Sequence, residues 1–224
     1  MLLEDPPEGN EFRLSHTRGE EIANSISHGL GTALSVAGLI LMLLRTLPLH
    51  DKWRITSVVI FGTTLILAHL SSTLYHSVKE KRLKRIFQFV DHGSIYFLVA
   101  GTFTPLLLVT LRTRVGWAMF GLVWSFAFGG IVFKTFCINK YPKFEASTYV
   151  IMGSLSIFIM KQLYLGLPLA GFAWVLLGSL IYLLGLIFLG WHELPYNHMI
   201  WHLFVMGGSV SHFYAIYFYV LPPN

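Results

Sequence analysis

Residues 168–190 read PLAGFAWVLLGSLIYLLGLIFLG, without one charged side chain. A helix needs about 20 apolar residues to cross a bilayer core, and this run meets that length. Helix is the only form open to it, because in hydrocarbon every backbone amide and carbonyl must be satisfied within the segment. The same window, moved outward, finds Ala23–Leu47, Trp53–His76, Phe87–Leu111, Val115–Phe136 and Ala146–Leu165 before it, and Pro195–Leu221 after it. Pro48 follows the first span, Pro142 precedes the fifth, and Pro168 and Pro195 sit at first-turn positions, where a missing amide costs nothing. Pro105 falls inside the third span and predicts a kink. At Leu165-Gly-Leu-Pro168 two spans meet almost without a loop. Fusing them would give one helix of roughly 45 residues, far beyond a bilayer's thickness. The reading is an all-α membrane protein, a seven-transmembrane-helix bundle (residues 21–224) behind a short segment (1–20).

Composition agrees. Of 224 residues, 54% are hydrophobic and 12% are charged, where a soluble domain carries about 25% charged. Mean hydropathy is +0.63. There is no length left for a separate soluble domain. The single cysteine, Cys137, excludes an intrachain disulfide. A net charge of +5 in so apolar a chain points to basic loops facing anionic lipid, and no nucleic-acid partner is expected. No cleavable signal peptide is expected before the first span. The side holding the N-terminus carries Arg13, Arg18, Lys79, Lys81, Arg82, Lys84, Arg85, Lys134, Lys140 and Lys143. The opposite side carries Arg45, Lys52, Arg54, Arg112, Arg114 and Lys161. That excess predicts a cytoplasmic N-terminus and an outside C-terminus.

Ionisable residues inside spans are costly and mark function. Here they are His28, His69, His76, Asp91, His92, His198, His202 and His212, with Glu20, Glu21 and Asn24 just before the first span. His76 ends the second span, Asp91 lies about a turn into the third, and His198 and His202 begin the seventh. At 1.5 Å per residue, all four fall within roughly 12 Å of one membrane face. His198 and His202, spaced i, i+4, project from one helix face. With His76 they would give three imidazoles and a free fourth position, the donor set of a catalytic zinc. Asp91 would be a fourth ligand or would hold a metal water. The alternative is a histidine network that hydrogen-bonds between helices. His192-Glu193 followed by His198 is not a metalloprotease motif, since the second histidine comes too late and Pro195 intervenes.

Around this set, Ser72 lies a turn before His76 and can bond a water or substrate, or its own backbone. His28 and Asn24 are expected behind the ligands or against lipid headgroups, as are Tyr75 and His212. For His69 and His212 a buried, hydrogen-bonded histidine is the simpler reading. Tyr96 and Tyr214 read as packing residues. Glu20 and Glu21 read as favouring the positive end of the first helix. Gly29, Gly31, Gly207 and Gly208 predict close helix approach.

Four motifs carry a resemblance. Glu20-Glu-Ile-Ala-Asn24-Ser-Ile-Ser-His28-Gly, Ser72-Thr-Leu-Tyr-His76-Ser, Asp91-His92-Gly-Ser-Ile-Tyr96 with Ala100-Gly-Thr-Phe-Thr-Pro105, and His198-Met-Ile-Trp-His202 with Ser211-His212-Phe-Tyr214 resemble the hemolysin III family. That family is the bacterial branch of the progestin and adipoQ receptors, which include the adiponectin receptors, and is distantly similar to alkaline ceramidases. The resemblance implies one zinc ion per chain on His76, His198 and His202, with Asp91 reaching it through water, in a multi-pass protein of the bacterial inner (plasma) membrane. The function expected is a zinc-dependent intramembrane hydrolase of a lipid amide or ester, with Asp91 as base and Ser72 orienting water or oxyanion. The lipid would enter from the inner leaflet. The alternatives are a receptor or membrane-homeostasis regulator with structural zinc, and a channel or cytolytic protein. Against a pore, polarity gathers at one face.

Overall fold

The computed structural model describes residues 16–137 and 142–222. Arg13, Lys140 and most of the 1–20 segment lie outside them. The described residues form helices and short connections, with no strand among them. The helices are α1 (Arg18–Thr46), α2 (Lys52–Ser77), α3 (Lys81–Pro105), α4 (Arg114–Cys137), α5 (Pro142–Ser154), α6 (Met160–Gly166), α7 (Leu169–Gly190) and α8 (Asn197–Ala215). Seven stretches are long and apolar enough to cross a membrane, α5 and α6 sharing the fifth.

The first three helices begin before their apolar windows because polar caps extend them. Thr17 and Glu20 form a reciprocal capping box that starts α1 at Arg18, five residues before the expected Ala23. Asp51 caps α2 by accepting from the amides of Trp53 and Arg54. Glu80 starts α3 at Lys81 by accepting from those of Arg82 and Leu83, and these bonds hold its carboxyl below the usual range. Asp91 therefore stands three turns along its helix rather than one.

Two prolines mark changes in the backbone, and the second departs from expectation. Pro105 ends the α-helical part of the third span, which continues as a π-turn over Leu106–Thr110, the wider ladder accommodating the missing amide. Pro195 lies outside α8, in a turn. The helix begins two residues later, after Tyr196 in the left-handed conformation (φ 57°). No side chain of Tyr196 caps it. Its amide instead donates to Glu20 Oε1 at 3.1 Å, tying the start of the last span to the start of the first. Asn197 Nδ2 adds a bond to the Phe188 carbonyl at 3.1 Å. The α6–α7 junction is two separate helices, with Pro168 as the cap residue of α7. The fifth span is interrupted by a 3-10 stretch over Leu155–Ile159.

α1 packs on α2, α2 on α3, α3 on α4 and α7 on α8, and α8 closes back on α1. The third span is the most enclosed, and its Leu107 shares a core with Phe61, Val123, Ile159 and Ile216 of its neighbours. The outside of the bundle is apolar: Phe158, Leu165 and Leu169 are each at least 70% exposed. In water such a surface would aggregate, whereas lipid solvates it. α1, α3 and α8 begin, and α2 ends, at the face that holds the N-terminus.

Close helix approach holds at two of the four expected glycines. A Cβ on Gly31 would meet His69 Cγ at 2.9 Å, and one on Gly208 would run into the Tyr182 ring, which is pinned by its hydroxyl to Ser209 Oγ at 2.9 Å. At Gly29 the nearest atom is Thr73 Cγ2 at 3.8 Å, and at Gly207 it is Ile181 Cγ2 at 3.4 Å. Gly208→Ala is thus expected to cost about 1–3 kcal/mol by overpacking. Gly29→Ala is expected to be neutral or better, given Ala's helix preference of about 1 kcal/mol over Gly. Thermal unfolding in detergent separates the two.

Candidate metal centre

The three histidines meet. One ring nitrogen from each of His76, His198 and His202 lies within 4.8 Å of the other two. Their ring centroids are 5.1 Å (His76–His198), 5.2 Å (His76–His202) and 4.5 Å (His198–His202) apart. His76 is the last residue but one of α2, and His198 and His202 lie on the first two turns of α8. Because α2 ends where α8 begins, antiparallel packing around α1 suffices to bring them together.

The ring protons can be assigned from the bonds. His76 Nδ1 is 2.6 Å from Glu21 Oε2. A carboxylate only accepts, so Nδ1 carries the proton. His202 Nδ1 is 3.2 Å from Ser27 Oγ, whose own proton goes to the Asn24 carbonyl at 2.8 Å. Nδ1 of His202 therefore also donates. Both rings are left with a bare lone pair on Nε2. The Nε2 atoms of His76, His198 and His202 are buried and have no hydrogen-bond partner among the described residues. A buried polar atom without a partner costs about 1–3 kcal/mol. Three of them on rings this close are what a bound cation would satisfy, and imidazoles held from behind by carboxylate and hydroxyl are a metal's usual surroundings.

α1 supplies that rear support. Glu21 also takes Lys84 Nζ at 2.7 Å. The Asn24 side chain lies 3.5 Å from His76 Nδ1 without bonding it, that nitrogen's proton being taken by Glu21, and the His28 ring lies 3.7 Å from that of His202. His28 in turn meets His69 at 4.9 Å. Tyr75 packs against His76 and lies under Lys84 Nζ, 4.9 Å above its ring.

Asp91 is buried on α3, with Ser72, His76, His92 and Lys134 about it. Among the described residues it does not join the three-histidine group. Ser94 Oγ donates to the Asp91 carbonyl at 2.6 Å and Ser71 Oγ to Ser94 Oγ at 3.2 Å, stitching α2 to α3 beside Ser72. His212 is not brought to the centre. It lies ten residues beyond His202, roughly 15 Å along the helix, packed on Tyr182 with Gly178 beneath it. Its Nδ1, like that of His69, has no hydrogen-bond partner among the described residues. Both are buried as expected, but Nδ1 of neither makes the hydrogen bond that reading called for.

Glu21, Ser27, Lys84 and His16 are the residues that sequence reasoning missed here. Glu21, Asn24 and His28 recur at helical spacing, the signal that would have put Glu21 on the inward face. His16, just ahead of the α1 cap, has its ring 5.1 Å from His198 and 5.9 Å from His76. Burial lowers its pKa from the ordinary histidine value, against the pull of Glu21.

Fold and centre together define a seven-span integral membrane protein with a buried trihistidine cluster at one face. The chain matches the family described as Haemolysin-III related over residues 16–213. It is 41% identical to Hemolysin-3 of Bacillus cereus over 210 residues (94% of this chain, 96% of that one). It is 43% identical to the Hemolysin-3 homolog of Bacillus subtilis strain 168 over 200 residues (89% and 94%). At greater distance it is 28% identical to human monocyte to macrophage differentiation factor over 218 residues (93% and 87%). The protein belongs to the hemolysin III family and is a multi-pass protein of the plasma membrane.

Proposed function

We propose that this protein is a zinc-dependent intramembrane hydrolase acting on a lipid amide or ester, with the N-terminal face in the cytoplasm. The observation that carries the reading is that His76, His198 and His202 each bring a ring nitrogen within 4.8 Å of the other two, while the Nε2 atoms of all three are buried and have no hydrogen-bond partner among the described residues. His76, His198 and His202 would hold one zinc ion, three protein ligands being the number of a catalytic rather than a structural zinc. A zinc ion so held supplies Lewis-acid polarisation of a carbonyl and makes hydroxide available near pH ~7. Asp91, buried beside the cluster and outside its ligand group, takes the proton of the attacking water. Ser72 orients the water or the developing oxyanion. Glu21 and Ser27 keep Nδ1 protonated on two of the ligands, so that Nε2 faces the ion.

A lipid substrate is supported by an apolar cavity of about 240 Å³ between α1, α2 and α8, lined by Gly31, Gly38, Leu65, His69 and Phe213. Leu34, Leu41 and Val210 on its rim are 47–52% exposed, so the opening faces the bilayer. His69 at its wall touches His28, which touches His202.

The test is turnover of N-acyl and O-acyl lipids by detergent-purified protein, wild type beside His202→Ala. Turnover that disappears in the variant supports the reading, and equal turnover in both sinks it. Glu21→Gln is expected to weaken zinc binding about 10–100-fold, the usual effect of losing an outer-shell partner. A chelator titration would show this, and unchanged affinity would remove Glu21 from the site.

A further inference from the structure

His16 lies outside the group of nitrogens within 4.8 Å of one another, yet its ring stands beside those of two of the three ligands. Its centroid distance to His198, 5.1 Å, equals that between His76 and His198. Its distance to His76 is 0.7 Å or so longer than the ligand pairs show, at 5.9 Å. With zinc–nitrogen bonds of about 2.0–2.1 Å in a tetrahedron, rings on one ion stand about 5 Å apart, so the spacing to His198 fits, and that to His76 asks the His16 ring to move inward. The three ligands are fixed on helices, whereas His16 rides on a lead-in two residues ahead of α1, so its ring can swing without moving a helix. The base of that lead-in is nonetheless anchored. Thr17 N–H and Oγ1 donate to Glu20 Oε2 at 2.8 and 2.9 Å, and Glu20 also receives the Tyr196 amide of the facing turn.

We infer that His16 is an exchangeable fourth ligand, closing the zinc site when its ring is on the ion and opening it when water or a substrate oxygen displaces that ring. Four protein ligands make a closed site of the structural kind and three an open one. One residue thus moves the centre between a resting and a reactive form. Exchange trades one neutral donor for another, so no redox partner is needed. This inference rests on the zinc reading above.

The deciding experiment is zinc-edge X-ray absorption on the full chain, purified in detergent and loaded with zinc, wild type against His16→Gln. Multiple scattering counts the imidazoles on the ion. About four in the wild type and three in the variant, each holding one zinc per chain, is the expected result. Release of zinc to a chelator should then be faster in the variant by at least about tenfold, the smaller effect expected of an outer-shell partner alone. Equal imidazole counts overturn the inference, whatever the release rates, and leave the trihistidine site standing. Absence of zinc from the loaded wild type overturns the hydrolase reading and this inference with it.

Discussion

His198→Ala/His202→Ala is expected to strip the protein of zinc, from about one ion per chain to none by elemental analysis, with the seven helices still in place. Both ligands from α8 go, and His76, even with His16 beside it, is too small a donor set to hold an ion at micromolar concentration. Stability gives a second readout whose sign decides between a metal site and a hydrogen-bonded histidine network. Without metal, the wild type buries three unsatisfied nitrogens at about 1–3 kcal/mol each. Removing two of them relieves part of that cost and offsets the packing lost. Metal-free wild type and variant should therefore unfold at similar temperatures. Zinc at about 100 times its dissociation constant adds about 2.7 kcal/mol to whichever form binds it, so it should raise the wild-type transition only. A variant destabilised equally with and without zinc would mean that the histidines bond the helices to one another. That outcome would end the metal reading.

Asp91→Asn is expected to leave zinc in place and to lower lipid hydrolysis by a factor of about 10²–10⁴, the usual contribution of a positioned base. The amide copies the shape of the carboxylate and can still bond water, but it cannot take the proton. Asp91 lies outside the ligand group, so zinc content should not change. Loss of zinc from the variant would make Asp91 a ligand. Full turnover would remove it from the chemistry. If the centre serves a regulator with structural metal, the variant should keep its function wherever it folds.

The spans were legible because lipid allows so few solutions. An uncharged run such as 169–190 can only be a helix, and its length sets the crossing. The helix ends were not, because capping by Thr17, Asp51 and Glu80 carries each helix past its apolar stretch, where hydropathy gives no signal. The turn before α8 was misread because Pro195 suits a first helical turn and nothing local reveals that Tyr196 turns left-handed. The ligand trio was legible since His198 and His202 share a face by spacing and His76 shares their depth. Glu21 was assigned to the helix dipole because its partner, His76, is 55 positions away, and no local pattern encodes such a pairing. His16 lies outside every span and so outside a search for polar groups in lipid.

The contact between Ser27 and His202 joins the first span to the last across 175 positions. A ribosome delivers spans into the bilayer in order, so Glu21 finds His76 and Lys84 as soon as α2 and α3 are in place, while Ser27 faces no histidine until α8 arrives. The centre is therefore half built early and closed late, and whatever it does waits for the span that brings two of its three histidines.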